Sequence, residues 1–207
     1  TFKSGRACST ASTPHRPQPV RPALSVRDAL SAPRSDFSRV VLPPMSYMHE
    51  QDKIKNRWPN AEKFIRERGL NEVFGPKSAP VGLVLQGGMY NGVIRALQRL
   101  GLADLHGNSA VPLYVLNVTY PLLASEFLEF CEGKEQILVI EEGQPEFLEQ
   151  QLTTFLYRAG SSVKLRGKDI LPMAGEYTGQ VMLDGLTAFL KQAAPGLLPA
   201  TVRAPNE

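Results

Sequence analysis

Three runs of this chain are apolar along nearly their whole length, and each is followed by a stretch of helical periodicity. They are Val81-Gly82-Leu83-Val84-Leu85, Leu113-Tyr114-Val115-Leu116-Asn117-Val118 and Gln136-Ile137-Leu138-Val139-Ile140-Glu141. A strand wetted on one face alternates apolar with polar residues, whereas a strand without that alternation is covered on both faces. Helices are expected from about Tyr90 to Leu100, from Ala124 to Cys131 and from Pro145 to about Arg158. A short strand around Ser162 to Leu165 and a final amphipathic helix from Thr178 to Lys191 complete the pattern. Strands in alternation with helices imply parallel pairing through right-handed crossovers. The expected fold class is therefore α/β, a three-layer αβα sandwich whose mainly parallel sheet has three or four parallel strands.

What precedes that pattern is different in kind. Pro14, Pro17, Pro19, Pro22, Pro33, Pro43 and Pro44 interrupt a basic stretch in which apolar residues show no period, so no packed element is specified. The expected organisation is an irregular Pro-rich basic arm or linker over 1–46, a helical connection over 47–78, an α/β domain over 79–195 and a flexible tail over 196–207. In the connection, Pro59 suits a first helical turn and Gly69 a C-terminal stop, with Ala61, Phe64 and Ile65 as a narrow apolar stripe. The chain opens on Thr1 without an initiating Met, and is expected to be a piece of something longer.

Charge and cysteine usage exclude several functions. A net charge of +3 is too small to argue for nucleic acid. The basic excess sits in the arm, which is expected to be a solvated segment rather than a phosphate or partner grip. Cys8 and Cys131 are the two cysteines, and neither belongs to a CxxC pair. Neither a zinc site nor an iron–sulfur cluster can be assembled from them. No apolar run approaches the roughly 20 residues needed to span a bilayer. A cytoplasmic location is expected.

Candidate chemistry is sparse. Gly87-Gly88 stand between the first strand and its helix, where backbone amides could cradle a phosphate. The spacing is not that of a dinucleotide fingerprint or P-loop, and the second strand ends in Asn117 where a carboxylate would hold a ribose. A tight turn in which a β-carbon would clash is the preferred alternative. Glu141-Glu142 stand at the carboxyl end of the third strand, where adjacent side chains point to opposite faces and cannot serve one substrate atom. The expectation is that one charges or caps the following helix while the other bonds a loop. Lys168, Asp169 and Glu176 fall in the loop Arg166–Tyr177. His15, His49 and His106 have no partners at ligand or triad spacing, and no nucleophile is suggested.

The order of these segments carries a resemblance. Val115-Leu116-Asn117-Val118-Thr119-Tyr120-Pro121-Leu122, then Ile137-Leu138-Val139-Ile140-Glu141-Glu142-Gly143, is similar to the domain shared by transketolase C-terminal segments and 2-oxoacid oxidoreductases. Glu149-Gln150-Gln151-Leu152, Phe155-Leu156-Tyr157, Gly167-Lys168-Asp169, Leu171-Pro172 and Gly175-Glu176 narrow it to the indolepyruvate (2-oxoacid) ferredoxin oxidoreductases. Roughly residues 80 to 190 are covered. The resemblance implies a large enzyme using thiamine diphosphate, Mg²⁺, iron–sulfur clusters and coenzyme A, in which this chain is the transketolase C-terminal-like connecting domain. No cofactor is expected on the chain itself: its nearest approach to the family's G-D-G…N motif is Leu183-Asp184-Gly185, inside an expected helix. Glu141, Glu142, Lys168 and Glu176 match the family and are expected to be structural. Expected partners are other domains or subunits of the same oxidoreductase, in a dimer. The alternative is a free-standing α/β module taking a phosphorylated ligand such as coenzyme A on the Gly87-Gly88 turn.

Overall fold

The computed structural model describes residues 42–200. The arm expected over 1–46, with Cys8 and His15, lies almost wholly outside the described residues; of the tail expected over 196–207 only 196–200 is described, and there Leu198 is fully buried. The chain divides into two compact units between Lys63 and Phe64. In the first, α1 (Met45–Asp52) continues through a wide π turn (Lys53–Arg57) into α2 (Trp58–Glu67). Pro59 therefore does not open a new helix, as its sequence context suggests; it follows a helix already running. A proline has no N–H for the carbonyl four residues back, and a widened turn is where such a gap is absorbed.

The second unit takes in the end of α2. Here the apolar stripe is narrower than the sequence suggests. Ile65 is buried against Val118 and Leu123, whereas Phe64 turns outward beneath the Arg68 guanidinium, 5.6 Å from its ring centre. Gly69 ends the helix at φ +54, and Leu70 N donates back to Ile65 O at 3.1 Å, the glycine stop expected from sequence.

The sheet is built from β1 (Glu72–Phe74), β2 (Val81–Gln86), β3 (Leu113–Leu116), β4 (Gln136–Ile140) and β5 (Lys164–Arg166). The order is β1-β3-β2-β4-β5, with β1 antiparallel to β3 and all other pairs parallel. The four parallel strands are those read from the sequence. The antiparallel edge strand is an addition, too short at three residues to stand out as a periodic segment. The helices between strands are α3 (Tyr90–Arg99), α4 (Ala124–Cys131) and α5 (Phe147–Arg158), and α6 (Gly179–Ala193) follows β5.

Period-two geometry divides each central strand between two cores. Val81, Leu83 and Leu85 of β2, Leu113 and Val115 of β3, and Leu138 and Ile140 of β4 meet Val93 and Leu97 of α3 and Met182, Leu186 and Phe189 of α6. The alternate residues Val84, Tyr114, Leu116, Ile137 and Val139 meet Phe127 and Cys131 of α4 and Leu152 and Leu156 of α5. The three-layer αβα sandwich is thus explained by strands with no polar face to spare.

Candidate functional site

β2 lies between β3 and β4, so the chain leaves it in one direction toward β3 and returns to its other side as β4. With right-handed crossovers this places α3 on one face and α4 and α5 on the other. A crevice opens at the carboxyl ends where the direction reverses, which is where open α/β sheets hold ligands. Gln86 ends β2 there, Asn117 follows β3, and Glu141 and Glu142 follow β4. An open pocket of ≈ 620 Å³ is lined by Gln86, Thr119, Tyr120, Glu141 and Phe147. A smaller one of ≈ 210 Å³ is lined by Gln86, Gly87, Gly88, Asn117 and Glu142.

The two glycines differ. A β-carbon on Gly87 would come within 2.5 Å of Asn117 Oδ1, while one on Gly88 would meet nothing within 4 Å. The steric clash expected of both applies to Gly87 only. Asn117 needs that space because its Nδ2 donates to Leu70 O at 2.9 Å and to Glu72 Oε2 at 3.0 Å. It ties the segment entering β1 to the end of β3, and its buried Oδ1 is left without a hydrogen-bond partner. Gly87→Ala is expected to cost about 1–3 kcal/mol in urea denaturation through overpacking, and Gly88→Ala less than about 0.5 kcal/mol. Equal costs would refute the asymmetry.

Glu141 is only 6% exposed. Its carboxylate accepts Leu148 N at 3.1 and 3.0 Å and Glu149 N at 3.3 Å, closing the amino end of α5, whose first amides have no partner within the helix. Burial raises its carboxyl above the ordinary value of 4.5, against the opposing pull of those amides and of Lys168. The folded carboxyl thus holds its proton more tightly than the unfolded one. Its stabilisation is greatest below that ordinary value and declines as pH rises through the raised one. The penalty of Glu141→Gln should accordingly be largest in acid and shrink toward neutrality. A penalty that grows with pH would contradict this environment.

Glu142 does the other job. Its Oε1 accepts Tyr177 N at 2.7 Å and its backbone N donates to Gln86 Oε1 at 3.3 Å. Lys168 completes the knot: Nζ donates to Glu141 O at 2.5 Å and to Tyr177 Oη at 2.8 Å. Tyr177 Oη in turn donates to Pro172 O at 2.7 Å, and Lys168 N donates to Glu149 Oε2 at 2.9 Å. Asp169 accepts Gly167 N at 2.8 Å and pairs with Arg166. Glu141, Glu142 and Lys168 are therefore brought together. Glu176 is not: it is exposed and contributes its backbone carbonyl to Thr178 N at 2.9 Å. Sequence alone does not mark Gln86, Glu149 or Tyr177 as members of this network. A polar residue closing the apolar run of β2 was the one available sign.

The described residues of the two crevice pockets do not fit the anionic cofactors that the resemblance implies. Among the described residues neither pocket has a lysine or arginine in its lining, and each presents a glutamate, so a diphosphate would meet like charge without a counter-charge from them. Among the described residues no grouping of three His, Cys, Asp or Glu could hold a metal ion. Burial pushes the Cys131 thiol up to about 12, out of the range of a nucleophile. No helix of the described residues is long and apolar enough to cross a membrane.

Residues 71–187 match the family described as the indolepyruvate oxidoreductase domain. The chain is similar to the indolepyruvate oxidoreductase subunit IorA of Methanothermobacter thermautotrophicus, 32% identical over 74% of this chain and 25% of that protein. It is also similar to IorA of Methanothermobacter marburgensis, 34% over 67% of this chain and 21% of that one, and of Pyrococcus abyssi, 29% over 68% and 22%. The chain thus spans about a fifth to a quarter of the length of these relatives. Among solved structures it is similar to a 2-oxoglutarate:ferredoxin oxidoreductase from Magnetococcus marinus, with a TM-score of 0.48 and 20% identity over 70% of this chain and 23% of that one. With more than half of its residues matched, and with relatives above 30% identity, this chain belongs to the indolepyruvate oxidoreductase domain family.

Proposed function

We propose that this chain serves as the connecting domain of a thiamine-diphosphate-dependent 2-oxoacid (indolepyruvate-type) ferredoxin oxidoreductase, and that the reaction is carried by other parts of the longer enzyme. One observation carries this reading. The charged residues gathered at the crevice spend their hydrogen bonds on the chain's own backbone: Glu141 on α5, Glu142 on Tyr177 N and Lys168 on Glu141 O. A group so committed holds a fold and is not free to move a proton or bind a cofactor. Thiamine diphosphate, Mg²⁺, iron–sulfur clusters and coenzyme A then belong to other domains or subunits of the same cytoplasmic enzyme, a dimer, against which this domain packs.

In the oxidoreductase that carries this domain, Lys168→Met and Glu141→Gln should lower the melting temperature while leaving kcat per folded molecule within about twofold. A kcat loss of about a hundredfold with an unchanged melting temperature would make them catalytic and overturn the proposal. The rival reading, coenzyme A on the Gly87-Gly88 turn, has the glycine-lined pocket in its favour, but the cation-free lining and Glu142 count against it.

A further inference from the structure

A third pocket lies near the amino ends of β2 and β4, away from the crevice. Its volume is ≈ 360 Å³, within the range of small-molecule sites, and its lining includes Val73, Lys77, Tyr114, Phe130 and Lys134. Lys134 is the unusual member. It is 8% exposed, with its ammonium 4.6 Å from the centre of the Phe130 ring. Among the described residues no hydrogen bond or close ion pair holds its ammonium, and the Glu132 carboxylate favours the charge only from farther away. The central strand is thinned to seat it, since a β-carbon on Gly82 would come within 2.8 Å of the Phe130 ring and 3.0 Å of Lys134 Cδ. An ammonium on a mostly buried lysine without a close anionic partner is costly, and an aromatic face with a more distant carboxylate offsets only part of that cost. Burial accordingly pulls the Lys134 amine below its ordinary value of 10.5.

The rim narrows what could complete it. Glu126, Glu129 and Glu132 also line the pocket. Glu126 is already engaged, accepting Tyr114 Oη at 2.9 Å and Asn71 Nδ2 at 3.0 Å. Glu129 and Glu132 are exposed. A simple anion drawn to Lys134 would meet these carboxylates, and a simple cation drawn to them would meet the Lys134 ammonium. A ligand carrying both charges satisfies both, and Val73, 55% exposed, with Phe130 offers an apolar wall.

We infer that this pocket binds a small zwitterion, its carboxylate on Lys134 and its ammonium toward Glu129 and Glu132. An α-amino acid with an apolar side chain is the simplest of that class. The test is calorimetric titration of the full chain with L-phenylalanine and L-leucine, beside phenylacetate and phenethylamine, which carry one charge each. At least one amino acid should bind with a submillimolar Kd, and each singly charged compound at least tenfold more weakly. Lys134→Met should weaken amino-acid binding tenfold or more. The double variant Glu129→Gln/Glu132→Gln, at exposed positions where folding is not at stake, should do the same. No saturable binding of either amino acid, phenylacetate binding as tightly as L-phenylalanine, or unchanged affinity in the double variant would each overturn the assignment.

Discussion

Replacing Lys168 by methionine is expected to cost about 3 kcal/mol, because it removes two hydrogen bonds from a charged donor, each worth roughly 1.5–3 kcal/mol. Methionine keeps most of the aliphatic stem but leaves Glu141 O and Tyr177 Oη without the ammonium that bridges them. The Tyr177 hydroxyl then holds Pro172 O alone, and the loop between β5 and α6 loses one of its two anchors to the end of β4, keeping only Glu142 on Tyr177 N. Stability should fall in urea denaturation, with amide exchange over residues 167–177 accelerating more than exchange in β2. A loss under about 0.5 kcal/mol would show that the ammonium does not hold the loop.

The second large effect is in the core between β2–β4 and α4–α5. Phe127 is 1% exposed and belongs to the cluster of Tyr114, Leu116, Val139 and Leu152. Phe127→Ala is expected to cost about 4 kcal/mol, the transfer energy of the ring plus the cavity it leaves. Phe64→Ala, on a ring 54% exposed, should cost less than about 1 kcal/mol. Two phenylalanines in helices thus separate by their place in the layers rather than by their type, and similar losses at both would undo the assignment of faces.

The sheet was legible because its strands are buried on both faces, so composition alone marks Val81–Leu85, Leu113–Leu116 and Ile137–Ile140. The edge strand Glu72–Phe74 was not, since three residues cannot show a period and its pairing with β3 is set by tertiary contact. The helical register of α2 was half legible: Ile65 and Phe64 are equally apolar in sequence, and only packing turns one inward. At the crevice, adjacency of Glu141 and Glu142 suggested separate tasks, and strand-to-helix order suggested a helix amino end for one. Which glutamate serves the helix could not be read, because it depends on how the chain turns after Ile140. That Tyr177 and Glu149 both meet Lys168 is not legible for a similar reason: they lie 9 and 19 residues from it, around a loop whose path no periodicity records.

The claim that this domain connects rather than catalyses rests on its polar groups, Lys168 included, being committed to its own chain, and on pocket linings that among the described residues offer no cation. Calorimetric titration of the full chain with coenzyme A, and with thiamine diphosphate in the presence of Mg²⁺, tests it most directly. The account expects no saturable heat for either compound up to about 1 mM. A Kd in the micromolar range for either one, lost on substitution at Gly88, would contradict it and place a cofactor site on this chain.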